Sequence, residues 1–320
     1  MVMAQSLFMA LKQRHKNCSI DVLAPEWSLA LIERMPEVRK AIVMPLGHGQ
    51  FDFNGRRSLG KSLIGEVYDE SIVLPNSWKS ALTPYFANVK KRTGYLGEMR
   101  WGLLNNSRKL DKLFLTKTVQ RFVALAYEPS HQLPNIPQPR LLIDPTSVAE
   151  VAVKFAIADH SSKVLGLCPG AEYGPAKRWP EEHYAAVAKN ALAKGWQVYL
   201  FGSAKDIPVS AKINELAGGG CEDFAGKTSL TEALDLMSLC DVVVSNDSGL
   251  MHVAAALNIK TIALYGSSDP NFTPPLHPDA ELISLNLECS PCFERECPLQ
   301  HLDCLRGITP ERVESLIDAA

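Results

Sequence analysis

Three stretches in the second half of the chain combine residue types that could hold a nucleotide's phosphates. VVVSNDSGLMHVAAAL runs from an apolar strand-like segment into Asn246, Asp247, Ser248 and Gly249, then into a helical pattern. A helix N-terminus offers backbone N–H groups without a partner inside the helix, and the positive end of its dipole. Ser248 and Gly249 leave room for an anion to approach. The same residues suit a plain capped helix, with Asp247 or Ser248 as N-cap. His252, three residues beyond Gly249, lies one turn into that helix, where a lone histidine packs or caps more often than it catalyses.

The second stretch, CPGAEYGPAKRWP, leads from a strand through a Gly/Pro-rich loop to Lys177, Arg178 and Trp179. Pro180 fits the first turn of a following helix. Cations on such a loop can neutralise a diphosphate leaving group without a metal. The alternative is a solvated basic loop with Trp179 packed into the domain. The nucleotide-binding pattern G-x-x-x-x-G-K-[ST] is missing. In the third stretch, LFGSAKD, Gly202 and Ser203 end a strand and Asp206 follows in the next turn, a place from which a ribose or base can be contacted. Four cysteines, Cys289, Cys292, Cys297 and Cys304, have C-x2-C-x4-C-x6-C spacing with His301 nearby. They suffice for a Zn2+ or iron–sulfur site, although the later spacing is not that of a zinc ribbon. Free thiols or a redox-dependent disulfide are the simpler reading, and no metal is expected. Cys18, Cys168, Cys221 and Cys240 fall in or beside core elements and read as small buried hydrophobes.

These stretches need parallel strands to carry them. In the second half, 164–170, 197–203, 241–249 and 260–267 read as strands. Between them lie EEHYAAVAKNALAKG, with Gly195 as C-cap, and SLTEALDLMSLCD, with the Ser229/Glu232 capping box. The first half alternates similarly. A helix begins at residue 1 or 2, and 19–25, 41–46 and 71–76 read as strands. Alternation of this kind predicts βαβ units and parallel sheets. The length of 320 residues gives roughly two domains at about 150 residues each. Four prolines in PSHQLPNIPQPR mark the approach to a linker, and the boundary is drawn as 1–150 and 151–320. The expected fold is α/β, two Rossmann-like doubly wound domains facing across a cleft.

Composition narrows the function. Hydrophobic residues are 46% and charged residues 21%, so the chain is an ordinary globular one. With 33 basic and 35 acidic residues the net charge is -2, so nucleic acid is not expected as a partner. No apolar run approaches the roughly 18 residues of a transmembrane helix. The opening residues do not have the charge order of a signal peptide, so a cytoplasmic location is expected.

Taken in order, PGAEYGPAKRWP, LFGSAKD, NDSGLMHVAAAL and LYGSSDPNFTPPL resemble the C-terminal half of lipopolysaccharide heptosyltransferases, inverting GT-B enzymes of glycosyltransferase family 9. MPLGHG, LPNSWKSAL and KRTGYLGEMRWGLLN resemble the first half of the heptosyltransferase II branch. The resemblance implies ADP-L-glycero-β-D-manno-heptose as donor, the first heptose of the inner core on Kdo2-lipid A as acceptor, and no required cofactor. It implies Lys177 and Asp247 as catalytic, Lys177 on the diphosphate and Asp247 on the donor heptose. Ser248, Gly249 and Leu250 would give backbone N–H groups to the phosphates, with Glu172, Tyr173, Gly202, Ser203, Asp206, Asn246 and His252 around the donor. Asn76, Ser77, Lys79, Arg92 and Arg100 would receive acidic acceptor groups, unless they form a solvated basic surface. A monomer with transient contact at the inner face of the cytoplasmic membrane is implied as well.

One departure stands out. The family opens with a strand and a Gly-Asp turn whose Asp is the proposed general base, and this sequence lacks both. Asp21, Glu26 and Asp52 do not match the motif. The expectation is a sequence shortened at its N-terminus. Two alternatives follow: a nucleotide-sugar-binding protein with impaired catalysis, and an NAD-dependent oxidoreductase, against which the lack of a G-x-G-x-x-G fingerprint after a strand speaks.

Overall fold

The computed structural model describes residues 1–47, 49–157 and 162–319; His48 of the MPLGHG segment and the end of the 108–160 stretch lie outside them. The chain forms two compact units. One holds Met3–Glu33 and Glu37–Pro137; the other takes Arg34–Pro36 and the chain from Gln138 onward. The division falls inside the proline-rich stretch and not at 150/151, which corrects the expected boundary. Its reason is the helix Pro145–Lys154, started by Asp144, whose side chain accepts from Thr146 N. This helix is fastened to the second unit. Ser147 Oγ donates to Asp235 Oδ2 at 2.5 Å, and Lys154 pairs with Glu232 at 2.5 Å.

The first unit opens with a single turn and the helix Gln5–Arg14, which buries Leu7, Phe8 and Ala10. Its strands are all parallel but form two separate sheets. In one, β1 (Ile20–Pro25) pairs with β2 (Val38–Met44); in the other, β3 (Glu70–Val73), β4 (Lys91–Tyr95) and β5 (Asn106–Arg108) lie in that order. Among the described residues no strand joins the two sheets. The carboxylates of this unit are used locally. Arg39, 2.8 and 2.5 Å away, holds the Asp21 carboxyl below its ordinary range, helped by the Tyr68 hydroxyl. Asp52 caps the helix Phe53–Ser62 through Gly55 N, and Glu26 begins a short 3-10 turn.

The second unit carries one six-stranded parallel sheet: β6 (Val164–Cys168), β7 (Gln197–Leu200), β8 (Glu222–Asp223), β9 (Val242–Asn246), β10 (Lys260–Leu264) and β11 (Glu281–Ile283). Their order is β11-β10-β9-β6-β7-β8. Counted within the unit this is 3-2-1-4-5-6 read from β8, the doubly wound order of mononucleotide-binding halves. β6 and β9 are buried at every residue, because helices cover both faces. That is why VLGLC and VVVSN read as unbroken apolar runs and not as alternating ones. Leu165, Leu167, Val242, Val244, Ile262 and Leu264 build the core with Trp179 and Tyr184. The helix Glu181–Ala193 ends at Lys194, and Gly195 follows with φ +81°, the left-handed stop that glycine permits. The Ser229/Glu232 capping box forms as expected, at 3.2 and 2.8 Å.

Candidate functional site

β6 and β9 are neighbours, and the chain leaves them in opposite directions across the sheet. Such a switch point opens a crevice at the carboxyl ends of the strands, where ligands of doubly wound sheets bind. The loop after β6 brings Glu172, Tyr173 and Lys177; the turn after β9 brings Asp247, Ser248 and Gly249.

One buried side chain locks these two segments together. Asn246, the last residue of β9, donates from Nδ2 to the Pro169 carbonyl at 2.7 Å. Its Oδ1 accepts from Trp179 N at 3.1 Å and from the Tyr184 hydroxyl at 3.0 Å. A single amide therefore holds both ends of the loop that carries Lys177. Trp179 is buried behind it, stacked edge-on against Tyr184, with Nε1 donating to the Ile308 carbonyl at 2.9 Å. The domain-packing reading of Trp179 is thus realised, with Lys177 free to face the crevice.

Lys177 Nζ lies 2.5 Å from Asp247 Oδ2 and 5.1 Å above the Tyr173 ring, whose other cationic neighbour is Arg295 at 5.2 Å. Beside this pair starts the helix Gly249–Ala256. Ser248 is its extended N-cap but makes no side-chain capping bond; its Oγ sits 3.3 Å from Ser245 Oγ. The first N–H groups of the helix are therefore not taken up by the cap side chain. A Cβ placed on Gly249 would meet nothing within 4 Å, so the approach to them is open. A polarised helix start next to a lysine is a cradle for a dianion. Asp247 balances the lysine charge, and a diphosphate entering the cradle would compete for that lysine.

His252 packs under the cradle. Its Nδ1 is buried and has no hydrogen-bond partner among the described residues. Burial drives its pKa down to about 4, with the Asp247 charge opposing the shift and Lys177 adding to it. The ring is neutral at physiological pH and is not a proton donor there. An unfolded imidazole titrates near 6.5, so the contribution of this burial to stability is complete above that value and is lost as pH falls from there toward about 4. The loss amounts to roughly 3 kcal/mol for this one group. Denaturant titrations at neutral pH and near pH 4.5 check it: the wild type should lose more stability between the two than His252→Gln, and equal losses would refute the assignment.

Asp206 takes a different place from the ribose contact expected of it. Its Oδ2 accepts from Ser203 N and Ser203 Oγ, both at 2.8 Å. It is buried between two glycines; a Cβ on Gly170 would come within 2.6 Å of its carboxyl carbon, and one on Gly202 within 2.7 Å of its Cβ. Asp206 braces the turn and is not presented to a ligand. Glu172 is exposed and paired with Lys205 at 2.6 Å, which holds its carboxyl below the ordinary range.

The first unit corrects the acceptor expectation in part. Arg100 is fully buried and spends its guanidinium on the Pro75 carbonyl (2.7 Å), the Tyr95 carbonyl and Asn76 Oδ1 (3.4 Å). Arg92 donates to the Leu103 and Val89 carbonyls, both at 2.6 Å, and lies over the Tyr85 ring. Both arginines are engaged by backbone carbonyls of their own unit, so neither is a free anion receptor. Ser77 opens a 3-10 turn and its carbonyl accepts from Ser80. Lys79 is half-buried, with a 3.3 Å bond to the Gln50 carbonyl. Cys168, Cys221 and Cys240 are buried thiols pushed upward by desolvation, Cys221 to about 11. Cys18 is only half-buried, with its Sγ 3.8 Å from the Leu11 carbonyl, so the buried reading fails for it.

Two parallel-stranded α/β units, one with a cradle at its switch point, fit a glycosyltransferase of the GT-B fold class. Comparison with known proteins agrees. Residues 56–303 match the model of glycosyltransferase family 9 (heptosyltransferase). Lipopolysaccharide heptosyltransferase 2 of Salmonella typhimurium is 47% identical over 98% of this chain and 92% of its own. Lipooligosaccharide heptosyltransferase 2 of Haemophilus influenzae is 49% identical over 89% of this chain and 85% of its own. The solved structure of Escherichia coli ADP-heptose lps heptosyltransferase II superposes with a TM-score of 0.88 at 42% identity, over 100% of this chain and 94% of that one. The chain belongs to glycosyltransferase family 9, the heptosyltransferases. It is a glycosyltransferase, which sets the oxidoreductase alternative aside.

Proposed function

We propose that this chain transfers L-glycero-D-manno-heptose from ADP-heptose to the first heptose of the lipopolysaccharide inner core, with inversion at the anomeric carbon. The observation that carries the reading is the Lys177–Asp247 pair at the open start of the helix Gly249–Ala256, in a chain similar along its length to heptosyltransferases 2. In this reading the helix start and Lys177 hold the diphosphate. As the sugar–phosphate bond breaks, negative charge grows on the departing ADP, and a fixed cation and fixed N–H dipoles stabilise it more than they stabilise the intact donor. Asp247, freed from Lys177 by the incoming phosphates, turns to the heptose hydroxyls. The buried Nδ1 of His252 orients the same end of the donor as a neutral hydrogen-bonding group. The acceptor binds the first unit, with Lys79 as a half-buried cation for its acidic groups.

The enzyme works in this reading as a cytoplasmic monomer that visits the inner membrane for its lipid acceptor. Among the described residues no helix is long and apolar enough to cross a membrane. The test is direct: ADP-heptose and heptosyl-Kdo2-lipid A are supplied together and ADP release is followed with product mass. Heptose addition to that acceptor, and none to Kdo2-lipid A, is expected. A thermal-shift panel tests the donor half separately. ADP at 100 times its dissociation constant should add about 2.7 kcal/mol, while UDP, GDP and NAD at the same concentration should add little. Stabilisation by UDP or GDP and not ADP would overturn the donor assignment.

A further inference from the structure

The segment joining β11 to the helix Asp303–Arg306 is organised around its cysteines. Cys304 lies in that helix and packs into the main core with Leu305 and Ile308. Cys289, Cys292 and Cys297 sit half-buried on the preceding loop, and all four are free thiols. The four line one small cavity of about 20 Å3 together with His301 and Ser267, room for roughly a single water-sized body. Ser267 is 1% exposed, and its Oγ has no hydrogen-bond partner among the described residues. His301 is already engaged, its Nδ1 accepting from Asp303 N at 3.0 Å.

A further feature marks the cavity as built and not incidental. Phe293, Gln300 and Leu302 hold φ values of +59°, +58° and +55°. Non-glycine residues keep that conformation only where their surroundings impose it, often at ligand clamps.

We propose that Cys289, Cys292, Cys297 and Cys304 bind one thiophilic cation, Zn2+ or Fe2+, as a structural site separate from glycosyl transfer. Thiolates select these ions over Mg2+ and Ca2+. Four sulfur ligands close the coordination shell and leave no open position for chemistry. On binding, each thiol gives its proton to solvent and forms one sulfur–metal bond; nothing is oxidised or reduced. Among the described residues no three such side chains already stand at coordinating distance, so the three loop thiols turn inward toward Cys304 as the ion enters.

The site braces the donor loop. Ala176 N donates to the Arg295 carbonyl at 3.0 Å, and the Tyr173 hydroxyl to the Phe293 carbonyl at 2.6 Å. Gly174 approaches Arg295 so closely that a Cβ would lie 2.4 Å from its carbonyl oxygen. Phe293 N and Ser290 Oγ tie the same segment to Ser267 and Gly266. A cation that cross-links this segment therefore stiffens the support beneath Lys177.

Metal analysis of the full chain, purified without oxygen or chelator, tests the inference. About one equivalent of zinc or iron per chain is expected, and Co2+ exchanged into the site should give the visible bands of tetrahedral thiolate coordination. Cys292→Ser and Cys297→Ser should hold less than about a tenth of that metal, while Cys18→Ser keeps it all. Removing the ion should lower the melting temperature and weaken ADP binding. A chain that carries no metal and shows no thiolate bands on Co2+ titration, with the four thiols freely titratable or joined as disulfides, would overturn the proposal. These readouts do not depend on heptose transfer, so the two readings can fail separately.

Discussion

Replacing Lys177 with alanine should lower kcat/KM about a hundred- to a thousand-fold, the cost of removing one fixed donor to developing negative charge. The lysine has been placed with care by its surroundings. Asp247 stands 2.5 Å from Nζ and the Tyr173 ring lies beneath it. Trp179 anchors the loop two residues on, through its buried indole and its backbone bond to Asn246. The ammonium is thus held near the cradle before any donor arrives. If it acts mainly on the departing diphosphate, Lys177→Ala should lower kcat more than it raises KM. Asp247→Asn separates the two partners: it leaves the lysine without its counter-charge, so ADP should bind at least as well while transfer falls. Steady-state kinetics with ADP binding measured by calorimetry reads both. An unchanged kcat in Lys177→Ala would remove the lysine from the reaction.

The second large effect is on folding. Asn246→Ala should destabilise the second unit by about 3–5 kcal/mol. The substitution strips a buried partner from the Pro169 carbonyl and the Trp179 N–H and leaves the Tyr184 hydroxyl only its 3.4 Å bond to the Cys168 carbonyl, and each orphaned polar group costs about 1–3 kcal/mol. Asn246→Asp should fare little better, since a carboxylate cannot donate to Pro169 and would bring a charge into the core. Urea titration followed by tryptophan fluorescence measures the loss, because Trp179 sits at the affected place. A loss under about 1 kcal/mol would mean that the amide is dispensable and the loop is held by packing.

The sequence made the second unit largely readable, since buried parallel strands declare themselves as apolar runs. β6, β7, β9 and β10 fall where VLGLC, QVYL, VVVSN and KTIAL predict them. β8 is two residues, Glu222–Asp223, and β5 is Asn106–Arg108; polar strands this short carry no pattern and exist only because a neighbour offers its edge. The NDSG turn and the Lys177 loop stood out by residue type. Their connection did not, because Asn246 reaches Pro169 and Trp179 across 77 and 67 residues. Arg295, which shares the Tyr173 ring with Lys177, gave no signal from its place among the cysteines. Arg92 and Arg100 misled for a physical reason. Charge type suggests exposure, but a guanidinium has five donors and can serve several loop carbonyls from inside the fold. Asp206 misled in the same way: a carboxylate after a strand looks like a ligand contact until its own turn claims it.

The wedge formed by Gly170, Asp206 and Gly202 also governs how this region can change over time. A side chain at either glycine would run into the Asp206 carboxylate or its Cβ, so alanine at 170 or 202 is costly while the aspartate is present. Removing the aspartate first would make room for both, although it would leave the Ser203 amide and hydroxyl unpartnered. The three positions therefore do not vary independently: the effect of a glycine substitution changes in size with the residue at 206, and effects measured one at a time will not add. Substitutions accepted elsewhere on the surface of this unit can accumulate singly, whereas those at the back of the crevice must arrive as a set.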